Sequence, residues 1–245
     1  MSPRPVALIT GAGKRVGATI ARTLHAAGYD LALHCRRSVA EAETLAGELE
    51  AARAGSTLVL QAELADVHAL PALVDTTLAR FGRLDALVNN ASGFHPTPLG
   101  SATPAQWDEL FAANAKAPFF LAQAAAPALR AAHGAIVNLV DIYAEHPLAD
   151  HPIYCMAKAA LAAMTRALAL DLAPAVRVNG VAPGAVLWPA DGKPYEDQQA
   201  MLARTPLGRA GSPEDVAGAV RWLLHEAPYV TGQIIRVDGG RTLAT

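Results

Sequence analysis

Val6-Ala7-Leu8-Ile9-Thr10-Gly11-Ala12-Gly13-Lys14-Arg15-Val16-Gly17 opens the chain with an apolar run, a glycine-rich turn and the start of a helical pattern. A short, continuously apolar run suits a strand buried on both faces, and the segment from Val16 to Ala27 takes up helical period directly after it. Glycines at such a junction let the backbone approach a pyrophosphate, whose charge is met by free N–H groups and the positive end of the helix dipole. An empty strand-to-helix turn uses the same glycines, so the rest of the chain must decide.

The same alternation repeats along the chain. Apolar runs at Val6 to Thr10, Asp30 to Cys35, Thr57 to Ala62, Leu84 to Asn89, Ala135 to Asp141, Val176 to Ala182 and Gln233 to Val237 predict seven strands. Between them, Val16 to Ala27, Val39 to Arg53, Ala69 to Phe81, Pro104 to Arg130, Ile153 to Leu172 and Pro213 to His225 have helical period. This order predicts an α/β fold, a single Rossmann-type doubly wound domain over residues 1–245. Its seven-stranded parallel sheet carries helices on both faces. Thr103-Pro104 and Ser212-Pro213-Glu214-Asp215 mark two helix starts by a capping hydroxyl followed by proline. Residues 184–209 lack periodicity and are rich in proline, which predicts a substrate loop, with a plain surface loop as the alternative.

Composition narrows the class of partner. The chain has 245 residues, 52% hydrophobic and 17% charged, with a formal charge of −2, enough to bury a full core and without a basic stripe. Nucleic acid and membrane surfaces are therefore excluded as expected partners, and a small ligand is favoured. Cys35 and Cys155 are too few and too far apart for a disulfide framework or a metal site, so both are read as packing residues and no metal is expected. The short apolar run near the amino terminus is too brief for a signal peptide, and a cytoplasmic location is expected.

Two clusters carry chemistry. Strand 2 ends in His34-Cys35-Arg36-Arg37-Ser38, offering two guanidiniums and a hydroxyl where an acidic side chain would serve the ribose hydroxyls of NADH. That pattern suits a 2′-phosphate and predicts NADPH as cofactor, two solvent-facing arginines being the alternative. Tyr154 and Lys158 lie four apart in a helical stretch and so face one bound molecule as a proton-donating pair. Thirteen residues before Tyr154 stands Asp141. An ionised carboxylate only accepts hydrogen bonds and repels a developing oxyanion, which disfavours ketone reduction. A heterocycle that presents amino and ring N–H groups satisfies it, and its protonated form can pass a proton to a ring nitrogen. Lys158 is expected to lower the Tyr154 pKa, Asp141 to oppose it, the two acids titrating as a unit. Phe94 offers a flat apolar face for a planar ring.

Thr10-Gly-x-x-x-x-x-Gly17, Asn89-Asn90-Ala91, Asn114, Tyr154-x-x-x-Lys158, Pro183-Gly184 and Thr231-Gly232 with Val237-Asp238-Gly239-Gly240 together resemble the short-chain dehydrogenase/reductase family from about Val6 to Leu243. Arg15 in place of glycine, Asp141 in place of serine, and Ser92 and Phe94 after Asn90-Ala91 look like the pteridine reductases. The resemblance implies an NADPH-dependent oxidoreductase that reduces pterins or folates, dihydro forms to tetrahydro and oxidised forms to dihydro. It implies cofactor contacts at Gly11, Gly13, Arg15, Val16, His34, Arg36, Arg37, Ser38, Glu63, Leu64, Asn90, Ala91, Ser92, Tyr154, Lys158, Pro183 and Gly184. Glu63 departs from the aspartate that usually holds the adenine amino group. Asp141, Tyr154, Lys158 and Asn114 are implied as catalytic, Asn114 through a water that links Lys158 to solvent. Arg15, Ser92, Phe94, Asp141 and Tyr154 are implied to line the pterin site, and Leu187 and Trp188 are the apolar candidates for its tail. A homotetramer built through the Ala-rich helices is also implied. The competing expectations are a general short-chain carbonyl reductase, such as a 3-oxoacyl thioester reductase, and a dinucleotide-sensing protein without catalysis.

Overall fold

The computed structural model describes residues 4–186 and 202–244. Its sheet has seven strands, all parallel: β1 (Val6–Ile9), β2 (Asp30–Cys35), β3 (Thr57–Gln61), β4 (Ala86–Asn89), β5 (Ala135–Leu139), β6 (Arg177–Pro183) and β7 (Ile234–Val237). Their spatial order is β3-β2-β1-β4-β5-β6-β7, so the winding reverses between β1 and β4. A ligand crevice belongs at that reversal, outside the carboxyl ends of the strands.

Helices cover both faces. On one face α1 (Arg15–Ala26) and α2 (Val39–Ala52) bury Ile20, Leu24 and Leu45, and α7 (Pro213–His225), packed on α1, β5 and β6, buries Val216 and Leu223 in the same cluster. On the other, α3 (Leu70–Phe81) and α5 (Ala117–Ala132) bury Leu70, Leu73, Leu121 and Leu129, and α6 (Pro152–Asp171) adds Ala169. Small residues such as Ala122 and Ala125, fully buried on α5, let the helix axis approach the sheet closely. Cys35 and Cys155 are buried free thiols.

The helix predicted from Pro104 to Arg130 is corrected. It divides into α4 (Pro104–Phe111), a π-helical turn at Ala112–Lys116, and α5. One extra residue in the turn displaces the backbone ladder, a device found mostly at functional sites, and here it holds the buried Asn114. The strand predicted to reach Asp141 is also shorter. Asp141 leaves the sheet because its carboxylate accepts from the Tyr143 amide at 2.9 Å and caps a 3-10 turn at Ile142–Ala144. Both predicted capping hydroxyls cap their helices, and each is part of a capping box, Thr103 with Gln106 and Ser212 with Asp215.

Candidate active site

A cleft of about 1240 Å³ lies at the winding reversal, between the turn after β1, the end of β2 and the segment after β4. Gly11, Arg15, Val16, His34, Arg36, Arg37, Ser38, Glu63, Leu64, Asn90, Ala91 and Ser92, all expected to contact cofactor, line it together. Gly13 sits behind the wall, where a Cβ would fall 2.6 Å from the Ser38 hydroxyl. The turn is shaped by contacts that only glycine permits. Gly11 has φ +64, and a Cβ on Gly17 would lie 2.2 Å from the Gly11 carbonyl oxygen. Asn90 fastens the turn to β4, its Nδ2 donating to the Thr10 and Gly11 carbonyls at 2.9 and 3.0 Å. The N-cap of α1, Lys14, makes no side-chain capping bond, and no acid occupies the first turn. The positive end of its dipole lies at the cleft, beside Arg15 and Val16.

At the far end of the cleft, Arg36 faces Glu63 at 3.5 Å, and Lys14 pairs with Glu41 at 2.6 Å. Both pairs are half exposed and worth little in stability. Glu63 also accepts from the Ala65 amide at 3.2 Å. His34 is buried in the strand. Its Nδ1 accepts from the Gly11 amide at 3.3 Å, which leaves Nε2 to donate to the Ala62 carbonyl at 3.2 Å. Burial holds its pKa below the ordinary value, so the neutral ring supports the glycine turn.

The catalytic candidates converge beside the cleft. Tyr154, buried on α6, donates its hydroxyl to Asp141 Oδ2 at 2.7 Å. Burial raises the Tyr154 pKa well above the phenol value, and the charge of Asp141 adds to the rise. The expected lowering by Lys158 is thus corrected: Lys158 Nζ stands 5.7 Å from the centre of the phenol ring and donates to the Leu139 carbonyl at 2.8 Å. Complete burial lowers the Lys158 pKa to about 8, against the pull of Asp141. Burial also raises the pKa of Asp141, opposed by hydrogen bonds from the Tyr143 amide and the Tyr154 hydroxyl. Each displacement favours the neutral form of its group, leaving a proton held between phenol and carboxyl.

Asn114 uses its side chain on the segment after β4. Its Nδ2 donates to the Gly93 and Leu110 carbonyls, each at 2.9 Å, and its Oδ1 accepts from the Ser92 hydroxyl at 2.7 Å. Asn114 therefore fixes the loop that carries Ser92 and Phe94. Phe94 is 44% exposed and meets the Tyr154 ring edge-on at a centroid distance of 4.8 Å. One face is already taken by His151, stacked at 4.6 Å and 10°. The flat face expected to meet a heterocycle is therefore the one opposite His151.

Pro183 and Gly184 close β6 against the Asp238 turn, where a Cβ on Gly184 would lie 2.8 Å from the Asp238 Cα. Leu187 and Trp188 lie outside the described residues, as does most of the predicted substrate loop.

Sequence reasoning missed Asn138, Thr165 and His151, and took Asn89 only as part of a motif. Asn89 and Asn138 are register partners on β4 and β5. Asn89 Nδ2 donates to Asn138 Oδ1 at 2.8 Å, and Asn138 Nδ2 to Thr165 Oγ1 at 2.9 Å, which ties α6 and its Tyr154 to the sheet centre. Two asparagines in apolar strand runs were the available signal, since a buried amide must find partners. His151 carries a helix-spacing signal, three residues before Tyr154.

Known proteins match this architecture throughout. A family model described as Enoyl-(Acyl carrier protein) reductase covers residues 11–242. Pteridine reductase 1 of Leishmania tarentolae is 41% identical, over 98% of this chain and 96% of its own. Granaticin polyketide synthase putative ketoacyl reductase 2 of Streptomyces violaceoruber is 39% identical over the same shares. The 3-oxoacyl-[acyl-carrier-protein] reductase FabG of Staphylococcus aureus is 34% identical over 96% of each chain. With its reversed parallel sheet, its glycine turn and its Tyr154–Lys158 pair, the chain is an oxidoreductase of the short-chain dehydrogenase/reductase family.

Proposed function

We propose that the protein reduces pterins with NADPH, taking dihydropterin or dihydrofolate to the tetrahydro form and oxidised pterin or folate to the dihydro form. The observation that carries this is the 2.7 Å hydrogen bond from Tyr154 to Asp141, beside the half-exposed ring of Phe94. A carboxyl in that place accepts from amino and ring N–H groups and, with the phenol, returns a proton to a ring nitrogen. Ionised, it would oppose the oxyanion of a carbonyl reduction.

The cleft fits a dinucleotide. Arg36, Arg37 and Ser38 would hold a 2′-phosphate, the uncapped start of α1 the pyrophosphate, and Lys158 the nicotinamide ribose. When bound, that cofactor supplies the hydride. Arg15, on the cleft wall, would hold phosphate and serve the second ring nitrogen, and Asn114 would keep Ser92 and Phe94 in place. The pterin name of one relative supports this assignment. Two other relatives named as ketoacyl or oxoacyl reductases support the alternative, a 3-oxoacyl thioester reductase.

The test is oxidation of NADPH, and of NADH beside it, by the purified protein with 7,8-dihydrobiopterin or an acetoacetyl thioester as sole acceptor. Turnover of the pterin, with NADPH preferred, is expected. Turnover of the thioester alone would replace pterin reduction with carbonyl reduction, and equal use of both cofactors would remove the role given to Arg36 and Arg37.

A further inference from the structure

Phe94 lies in the segment between β4 and α4, and the backbone is tied on both sides of its ring. The Gly93 carbonyl accepts from Asn114 Nδ2 at 2.9 Å, and the Thr97 amide donates to the Asp150 carbonyl at 2.6 Å. What remains free is the ring, which can turn about its side-chain bonds. His151 removes that freedom. Its ring lies parallel to Phe94, at a centroid distance of 4.6 Å and an angle of 10°, while Tyr154 meets the Phe94 ring edge-on at 4.8 Å. His151 is held in turn. Its Nδ1 donates to the Ala149 carbonyl at 2.8 Å, and the intervening Asp150 takes φ +58, a left-handed conformation uncommon outside glycine. The helix that begins here does not use the imidazole, because His151 stands at the N-cap of α6 without a side-chain capping bond. The same turn therefore grips the Phe94 segment twice, by the Asp150 carbonyl on its backbone and by the His151 ring on its side chain.

We propose that His151 is a positioning residue for the acceptor, which fixes the plane of Phe94 from behind so that the opposite face receives a flat heterocycle. His151, Phe94 and the heterocycle then stack in series, and the acceptor meets a surface whose tilt is set before it arrives. His151 exchanges no proton with the acceptor and acts through Phe94 alone. This role rests on pterin reduction, since a flat aromatic acceptor gains from a fixed ring plane and an aliphatic acyl chain does not.

The experiment is steady-state kinetics with 7,8-dihydrobiopterin and NADPH on wild type, His151→Ala, His151→Phe, Phe94→Ala and the double variant Phe94→Ala with His151→Ala. Loss of one aromatic stack should raise the pterin KM of His151→Ala about fivefold, with kcat and the KM for NADPH within about twofold of wild type. His151→Phe keeps a ring against Phe94 without the Nδ1 bond and should restore the pterin KM. In the Phe94→Ala background, removal of His151 should raise KM no further. The role is overturned by a pterin KM for His151→Ala within about twofold of wild type, by equal impairment in His151→Phe, or by the same rise in KM when Phe94 is absent. A parallel loss of kcat and of NADPH affinity in His151→Ala would mark a general disturbance of the fold and overturns it as well. Failure of the wild type to turn over the pterin would instead overturn pterin reduction itself, so the two failures are read on different proteins.

Discussion

Arg15 is held at φ +53, in the left-handed region that favours glycine, at the mouth of the phosphate turn. A side chain there costs roughly 1 kcal/mol, a strain retained where function uses the residue. Arg15→Gly should therefore leave the unfolding midpoint unchanged or raise stability by up to about 1 kcal/mol, while pterin turnover falls. A clear loss of stability would show that Arg15 is structural. Sequence identified Tyr154 and Lys158 by their four-residue helical spacing, and Arg15 and Asp141 because they stand where the family pattern has glycine and serine. It could not fix the Tyr154 pKa or the free face of Phe94. Those depend on the burial of Tyr154 beside Asp141 and on His151, which are consequences of packing rather than of spacing.

Among the elements, α6 is aimed by polar contacts rather than by its apolar side alone. The Asn89–Asn138–Thr165 ladder crosses from β4 to β5 to α6 and sets the helix that presents Tyr154 and Lys158. Asn138→Ala would leave the buried Nδ2 of Asn89 without an acceptor. Chemical denaturation should report a loss of about 2 kcal/mol, and a midpoint equal to wild type would mean that the ladder does not support the helix. The seven strands and most helices were legible because apolar runs and helical periods alternate regularly. The π turn at Ala112–Lys116 was not, since its residues are as helical in composition as their neighbours. The short end of β5 escaped for a related reason: the Asp141 carboxylate that stops it is a side-chain contact within an apolar pattern.

At the scale of the whole molecule, stability depends in part on buried histidines kept neutral at opposite ends of the strands. His34 and His25, buried and lowered in pKa by desolvation, resist protonation in the folded state. Above about pH 6.5 both states are neutral and nothing is lost. As pH falls below that value the unfolded chain takes up protons that the folded chain refuses, so stability declines until the folded pKa is reached. Each histidine contributes at most about 1.4 kcal/mol per pH unit over that window. His34→Gln should flatten the decline seen by denaturation between pH 7 and 5, and an identical slope would contradict this assignment. Acceptor choice depends on the neighbouring acid. The most direct test is the ratio of kcat/KM for 7,8-dihydrobiopterin to that for an acetoacetyl thioester, in wild type and in Asp141→Ser. A ratio that favours the pterin and falls about a hundredfold in the variant is predicted. An unchanged ratio would show that Asp141 does not select the pterin.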